Sequence, residues 1–359
     1  MSRLSIFDSR RLGLIPDAFI SGFASLSIQV IFARLAVGFA GGNEVYLSLM
    51  FFLWLLFTAA GALCIRKFEP PALFLTLALI TPIAASAFFI SPHLAGNLPG
   101  QLISPPLYLV TTIIALLPIC LINGSLFGSI ARRVAGDQRS GETYYNEALG
   151  ALAGGIISTI YYFSGGRDFS YLIAICLICL IPVGRKTLIK AASVVVIALF
   201  VLTSGIGNKL EGFLLTIRYE PLSFQQAVSG RLIRYDATAT GDITTIYSGG
   251  LKAADFPDEA AGPELFYWPY LIRPHLKNIA FVGAEMTMVD RLIPDTIDRI
   301  YIYPEKRWRK LVNADFLPAE QISRFVDPVP FFKKSSLLAV DYLDSTIKSE
   351  KSIPHSIAQ

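Results

Sequence analysis

Long apolar runs broken by short polar loops fill the first two hundred residues. The runs Ile15–Phe39, Val45–Cys64, Ala72–Ile90, Leu107–Ile130, Tyr145–Phe163, Tyr171–Val183 and Leu188–Leu202 predict seven helical spans. The sixth falls short of the roughly 20 residues a crossing needs and would borrow from its flanks. The first is too long for the core of a cleaved signal peptide and reads as a retained span. After Ser204 the pattern changes. Gly205–Glu220 reads as a connecting helix at the interface. Arg231–Asp236 and Asp242–Ser248 flank Ala237–Gly241 as a β-hairpin. A helix is expected over Pro263–Arg273, then a buried strand at Asn278–Val282 closed by Gly283. Strands follow at Arg299–Tyr303, Ser323–Asp327 and Ser336–Asp341, with a helix over Arg307–Val312. Strands alternating with helices predict a parallel sheet.

Composition agrees with the pattern. The 359 residues are 53% hydrophobic and 16% charged, and the mean hydropathy is +0.54. Up to residue 205 there are 13 Lys and Arg against 8 Asp and Glu, and after it 18 against 19. The basic excess therefore lies in the membrane half. It reads as a topology signal rather than a nucleic-acid surface. Arg10, Arg11, Arg66, Lys67, Arg132, Arg133, Arg139, Arg185, Lys186 and Lys190 fall on one side of the bundle. The opposite loops carry only Arg167. The positive-inside rule predicts a cytoplasmic N-terminus and, after seven crossings, a C-terminal domain outside the cytoplasm, as in a bacterial inner membrane.

The four cysteines, Cys64, Cys120, Cys176 and Cys179, all lie in apolar segments. They are expected to pack as small apolar side chains, with no disulfide framework in the soluble part. The pairs Gly38/Gly42, Gly124/Gly128 and Gly150/Gly154 have the spacing of close helix packing. Polar groups inside spans are Gln29, Arg34, Asn123 and Glu147. On the predicted topology Arg34 and Glu147 belong to opposite leaflets, so Arg34 is expected to snorkel outward rather than pair with Glu147.

Several stretches, in order, resemble the membrane-bound spermidine synthase-like family, which joins a bundle of spans to an aminopropyltransferase-type domain. Ile20–Leu26 is similar to the family's opening segment, with Arg34 at the family's arginine and Gln29 in place of a glutamate. Ser140–Ala151 is close to its G-x-x-Y-x-x-[ND]-x-x-G-A stretch. Arg218–Leu222 and Tyr235–Tyr247 resemble its hairpin entry, and Trp268–Pro274 its lead into the cofactor strand. The resemblance implies an α-helical polytopic bundle over 1–204. It also implies a truncated α/β Rossmann-like, methyltransferase-like domain over 205–359, with a small N-terminal β-hairpin.

Within that likeness the cofactor site is degenerate. Of a glycine-rich turn only Gly283 is kept, since Glu285 and Thr287 stand at the next two glycine positions. Glu305 lies two places beyond the family's ribose-binding acid, and Asp327 begins the nearest match to its adenine-side pattern. Asp341 or Asp344 would be the catalytic aspartate. These imply no confident catalytic residue, no cofactor and no metal. The leading expectation is a non-catalytic membrane scaffold or accessory subunit. Its partner, or a second copy, would dock on the sheet edge at Leu337–Asp341, beside Phe331 and Phe332. Alternatives are an active aminopropyltransferase using S-adenosylmethionine or its decarboxylated form, with Asp341 as base, and a transporter built on the spans.

Overall fold

A computed structural model describes residues 14–40, 43–64, 68–134, 140–183, 188–229, 234–241, 243–256, 278–282, 299–303 and 339–340. The chain divides into two compact units, Met1–Asp236 with Tyr247–Lys252, and Ala237–Ile246 with Ala253–Gln359.

The first unit is a helical bundle. Its elements are α1 (Leu14–Ala40), α2 (Glu44–Cys64), α3 (Pro70–Leu94), α4 (Pro105–Val134), α5 (Ser140–Phe163), α6 (Asp168–Ile178), α7 (Leu188–Ser204) and α8 (Ile206–Arg218). Among the described residues four helices are long and apolar enough to cross a membrane, namely α1 to α4. A fifth is reached if α7 and α8, bent by 50° at their junction, act as one. This is fewer than the seven spans expected. The predicted sixth span is no continuous helix: α6 ends at Ile178, and a 3₁₀ turn at Ile181–Val183 follows. The fifth run forms α5, but its first turns are polar. Its C-terminal half nevertheless exposes Leu152, Ile156 and Ile160 at four-residue spacing, an apolar stripe of the kind lipid covers.

Two helix pairs approach at backbone distance. A Cβ on Gly22 or Gly150 would strike a backbone carbonyl of the other helix in the α1–α5 pair, at Glu147 and Phe19 respectively. In the α2–α4 pair, Gly124 meets the Thr58 carbonyl in the same way. The spacings at Gly124/Gly128 and Gly150/Gly154 thus serve packing inside one chain. Gly38 takes no part in this, because a Cβ there would find only the Arg218 side chain, at 3.9 Å. Neutral hydrogen bonds supply the polar contacts of the interior. Tyr171 OH lies 3.2 Å from Ser27 Oγ and 2.9 Å from Ser158 Oγ. Asn123 Nδ2 donates to Ser25 Oγ at 2.5 Å.

Helix α8 buries Gly207, Glu211, Leu214, Leu215 and Arg218, a single face. It leads through a cis Glu220–Pro221 peptide into strands β1 (Ser223–Ser229), β2 (Arg234–Thr240), β3 (Ile243–Ser248) and β4 (Leu251–Phe256), ordered β1-β2-β3-β4. The expected hairpin is present, but its turn lies later. Ala237–Thr240 belongs to β2, because the strand continues until Gly241, whose φ of 59° suits a tight reversal. Gly249 and Gly250, with φ of 57° and 81°, turn β3 into β4. A two-residue loop with both residues in the left-handed region is the usual antiparallel connection.

In the second unit β5 (Asn278–Val282) pairs in parallel with β6 (Arg299–Tyr303), and with β7 (Ala339–Val340) on its other side, in the order β6-β5-β7. These are strands predicted from sequence, in the predicted parallel sense. The expected strand at Ser323–Asp327 and the helices at Pro263–Arg273 and Arg307–Val312 lie outside the described residues.

Candidate functional site

The candidate residues Gly283, Glu285, Thr287, Glu305, Asp327, Asp341 and Asp344 also lie outside the described residues, as do Phe331 and Phe332. Within the helical unit the structure assembles a different constellation, built from six segments distant in sequence.

Its first half is an ion pair. Arg34 Nε donates to Asp168 Oδ1 at 2.8 Å, across 134 residues of chain. Asp168 is the first residue of α6, where the helix dipole favours an anion. The guanidinium of Arg34 also lies over the Tyr162 ring, 3.9 Å from its centroid. This corrects the expectation that Arg34 snorkels outward. A partner close by in space, absent from its own helix, holds it inside.

The second half centres on Asp236. Arg234 grips its carboxylate bidentately, Nε to Oδ1 at 2.7 Å and Nη2 to Oδ2 at 2.9 Å. Tyr219 OH donates to Oδ2 at 2.7 Å. Residues 234 and 236 share one face of β2, since side chains two apart on a strand point the same way. Asp236 and Glu211 are wholly buried. Burial works against the charge of Arg234, but the Asp236 and Glu211 carboxylates outweigh it and hold its pKa above the ordinary arginine value. Burial pushes the Tyr219 hydroxyl well up, and the Asp236 charge adds to this, so Tyr219 stays a donor.

Glu211 is the weaker member. Its Oε1 lies 3.7 Å from Arg234 Nη1, and neither carboxylate oxygen has a hydrogen-bond partner among the described residues. Arg234 has already committed its best-aligned edge to Asp236. Arg218 closes α8, where the dipole favours a cation, and its Nη2 donates to the Gly38 carbonyl at 2.7 Å. Arg218 and Arg234 both lie over the Phe89 ring, 4.9 Å and 4.8 Å from its centroid.

A small cleft opens in this cluster. Its walls are Arg34, Asp168, Arg218, Arg234, Phe89 and the backbone around Gly38 and Gly249–Gly250. The described residues include no group of three His, Cys, Asp or Glu side chains placed to hold a metal. The Tyr219 hydroxyl sits beside the Asp236 carboxylate, but burial keeps it protonated as a donor. The chemistry of the cluster is electrostatic: it orders charged side chains from helices and sheet around one point.

The sequence pattern singles out Arg34 and Arg167, and marks Arg218 and Tyr235–Tyr247 only through a resemblance. It does not pick out Asp168, Glu211, Arg234 or Asp236 as site residues. Local signals for them exist. Asp168 precedes an apolar run, as an acid at a helix start does. Glu211 and Arg218 sit seven residues apart on the apolar face of an amphipathic helix, and Arg-x-Asp alternates on a strand.

Comparison with protein-family models finds no match, and comparisons with curated proteins and with solved structures find none either.

Proposed function

We propose that this protein is a non-catalytic integral membrane scaffold or accessory subunit. The observation that carries the reading is the way the buried ionic cluster is built. Its acids and bases bind one another: one pair ties α1 to α6, another ties α8 to β2, and Arg218 ties α8 to the Gly38 carbonyl of α1, which is the work of a fastener. In the sequence of the second unit, Glu285 and Thr287 stand where the glycines of a nucleotide-binding turn would be, which argues against a cofactor site. The N-terminus is cytoplasmic in this reading, and the sheet domain faces away from the cytoplasm.

The partner, or a second copy of the chain, docks by strand addition on the edge near Leu337–Asp341. Among the described residues β7 pairs with β5 alone. Hydrogen exchange tests the docking. The amides of Leu337–Val340 that do not bond β5 should gain protection only in the assembled complex. Protection already complete in the purified monomer removes the argument.

One observation favours a second reading, an active aminopropyltransferase or S-adenosylmethionine-dependent transferase. Cofactor sites in open α/β sheets lie beyond the carboxyl ends of parallel strands. Here the chain passes from β5 into Gly283 and from β7 into Asp341. Calorimetry on the full-length protein distinguishes the two. No heat of binding is expected with S-adenosylmethionine or its decarboxylated form, whereas micromolar binding that Asp341→Asn leaves intact while abolishing turnover would establish the enzyme.

A further inference from the structure

Glu211 is wholly buried, and neither of its carboxylate oxygens has a hydrogen-bond partner among the described residues. Arg234 Nη1 stands 3.7 Å from it, beyond hydrogen-bond length, while Nε and Nη2 of the same guanidinium are taken by Asp236. Asp168 and Asp236 are near enough to oppose a third negative charge. Desolvation without a hydrogen bond favours the neutral acid. Burial is the largest influence and raises the Glu211 pKa from the ordinary 4.5 to about 7; Arg234 and Arg167 work against it, Asp168 and Asp236 with it.

The helix that carries Glu211 hangs on an elbow. α8 meets α7 at a bend of 50°, where Gly205, with φ of 72°, supplies a left-handed turn. Next to it Gly207 lies flat against α6, since a Cβ there would strike Ser170. Glu211 follows one turn later on the same buried face. The charged and titratable groups around that face come from several elements. α6 offers Asp168 with Arg167 at its N-cap, β2 offers Arg234 and Asp236, and α5 offers Tyr161. α3 offers His93, 3.9 Å from Glu220 just beyond α8. β1 has no ionisable side chain, and the Lys190 of α7 lies in the first turn of that helix, at the end away from the elbow.

We propose that Glu211 is a proton-operated catch on α8, with the α7–α8 elbow as its hinge: the protonated side chain stays under the helix, and loss of the proton lets α8 lift so that the carboxylate reaches water. A buried acid that holds its proton more tightly than the exposed group stabilises the closed arrangement by that difference. The contribution is complete below about 4.5, falls away as pH rises, and is gone above about 7. Acid therefore closes the catch and alkali opens it.

Hydrogen exchange on the full-length protein in detergent tests this, with each rate divided by the intrinsic rate at that pH. Protection of the α8 amides should fall by up to about tenfold per pH unit as pH rises from about 4.5 to about 7, and level off above. Amides in the middle of α2 should show no such slope. Glu211→Gln keeps the shape and has no proton to lose, so its α8 protection should not vary with pH. It also keeps His93 and Glu220. A slope that persists in the variant assigns the effect to another group, His93 first, and overturns the proposal. So does a flat profile in the unaltered protein. Should the variant not fold, infrared spectra of the unaltered protein decide. A carboxylic-acid carbonyl band that disappears in step with the loss of α8 protection is expected, and a loss of protection without that band is the overturning result.

Discussion

The interior of the bundle and its charged end solve the same problem differently. Both bury polar groups among apolar side chains. The interior uses neutral pairs: Tyr171 with Ser27 and Ser158, and Asn123 with Ser25. Such groups need only one or two partners, and a hydrogen bond between them contributes about 1 kcal/mol net. The charged end buries full charges, and each demands more. Asp236 takes three hydrogen bonds, and Arg34 takes a carboxylate and a ring face. Desolvating an ion costs several kcal/mol, recovered only when geometry is good and the remaining lone pairs are filled. The difference teaches where the two regions are brittle. The interior tolerates loss of one polar partner, whereas the charged end does not.

The largest effect is expected at Asp236. Asp236→Asn removes the charge opposite Arg234 and turns one of the two acceptor oxygens into an NH2 donor facing the guanidinium, and breaking one side of a buried pair costs about 3–5 kcal/mol. Reversible unfolding in mixed micelles should show this loss. A change below about 1 kcal/mol would mean that the cluster is solvated, in the range of exposed pairs.

Second is the glycine contact. Gly150→Leu places side-chain atoms where the Phe19 carbonyl of α1 already sits, forcing the α1–α5 pair apart. Overpacking of this kind costs about 1–3 kcal/mol or more. A cysteine crosslink between the two helices, efficient in the unaltered background, should form slowly in the variant. Unchanged crosslinking would show that the close approach does not exist.

Third, Tyr171→Phe removes the hydroxyl shared by Ser27 and Ser158. The two hydroxyls are left to find each other or the backbone, so the loss is about 1–2 kcal/mol. If it equals that of Asp236→Asn, the contrast between the regions fails.

The smallest effect separates the two acids of the cluster itself. Glu211→Gln keeps the shape and removes a buried charge whose oxygens have no hydrogen bond among the described residues. Arg234 retains Asp236. The expected change is within about 1 kcal/mol of zero, in either direction. Measured beside Asp236→Asn by the same unfolding assay, a large destabilisation would show that Glu211, and not Asp236, anchors Arg234.

Apolar periodicity determined much by itself. Runs such as Ala72–Ile90 and Leu107–Ile130 lie within α3 and α4, because a long apolar stretch in helix geometry satisfies its own backbone bonds. The Asn278–Val282 and Arg299–Tyr303 runs became the paired strands β5 and β6 with the expected ends, since short branched runs between turn formers allow little else. Hairpin chemistry was legible too, although the turn moved from Ala237–Gly241 to Gly241, where positive φ is needed. The sixth apolar run misled, because Tyr171–Val183 has the composition of a span without its length.

What the sequence did not contain was who meets whom. Arg34 and Asp168 are 134 residues apart, and Arg218 reaches Gly38 across 180. Neither pairing has a periodic signature. A charge in an apolar helix states only that some partner must exist. Which partner it is depends on how α1, α6 and α8 pack, and backbone approach decides that at residues such as Gly207, where a Cβ would strike the Ser170 backbone of α6. The cluster and its cleft are thus a property of the packed bundle, because burial turns ordinary charged residues into a site only after the helices have excluded water from around them.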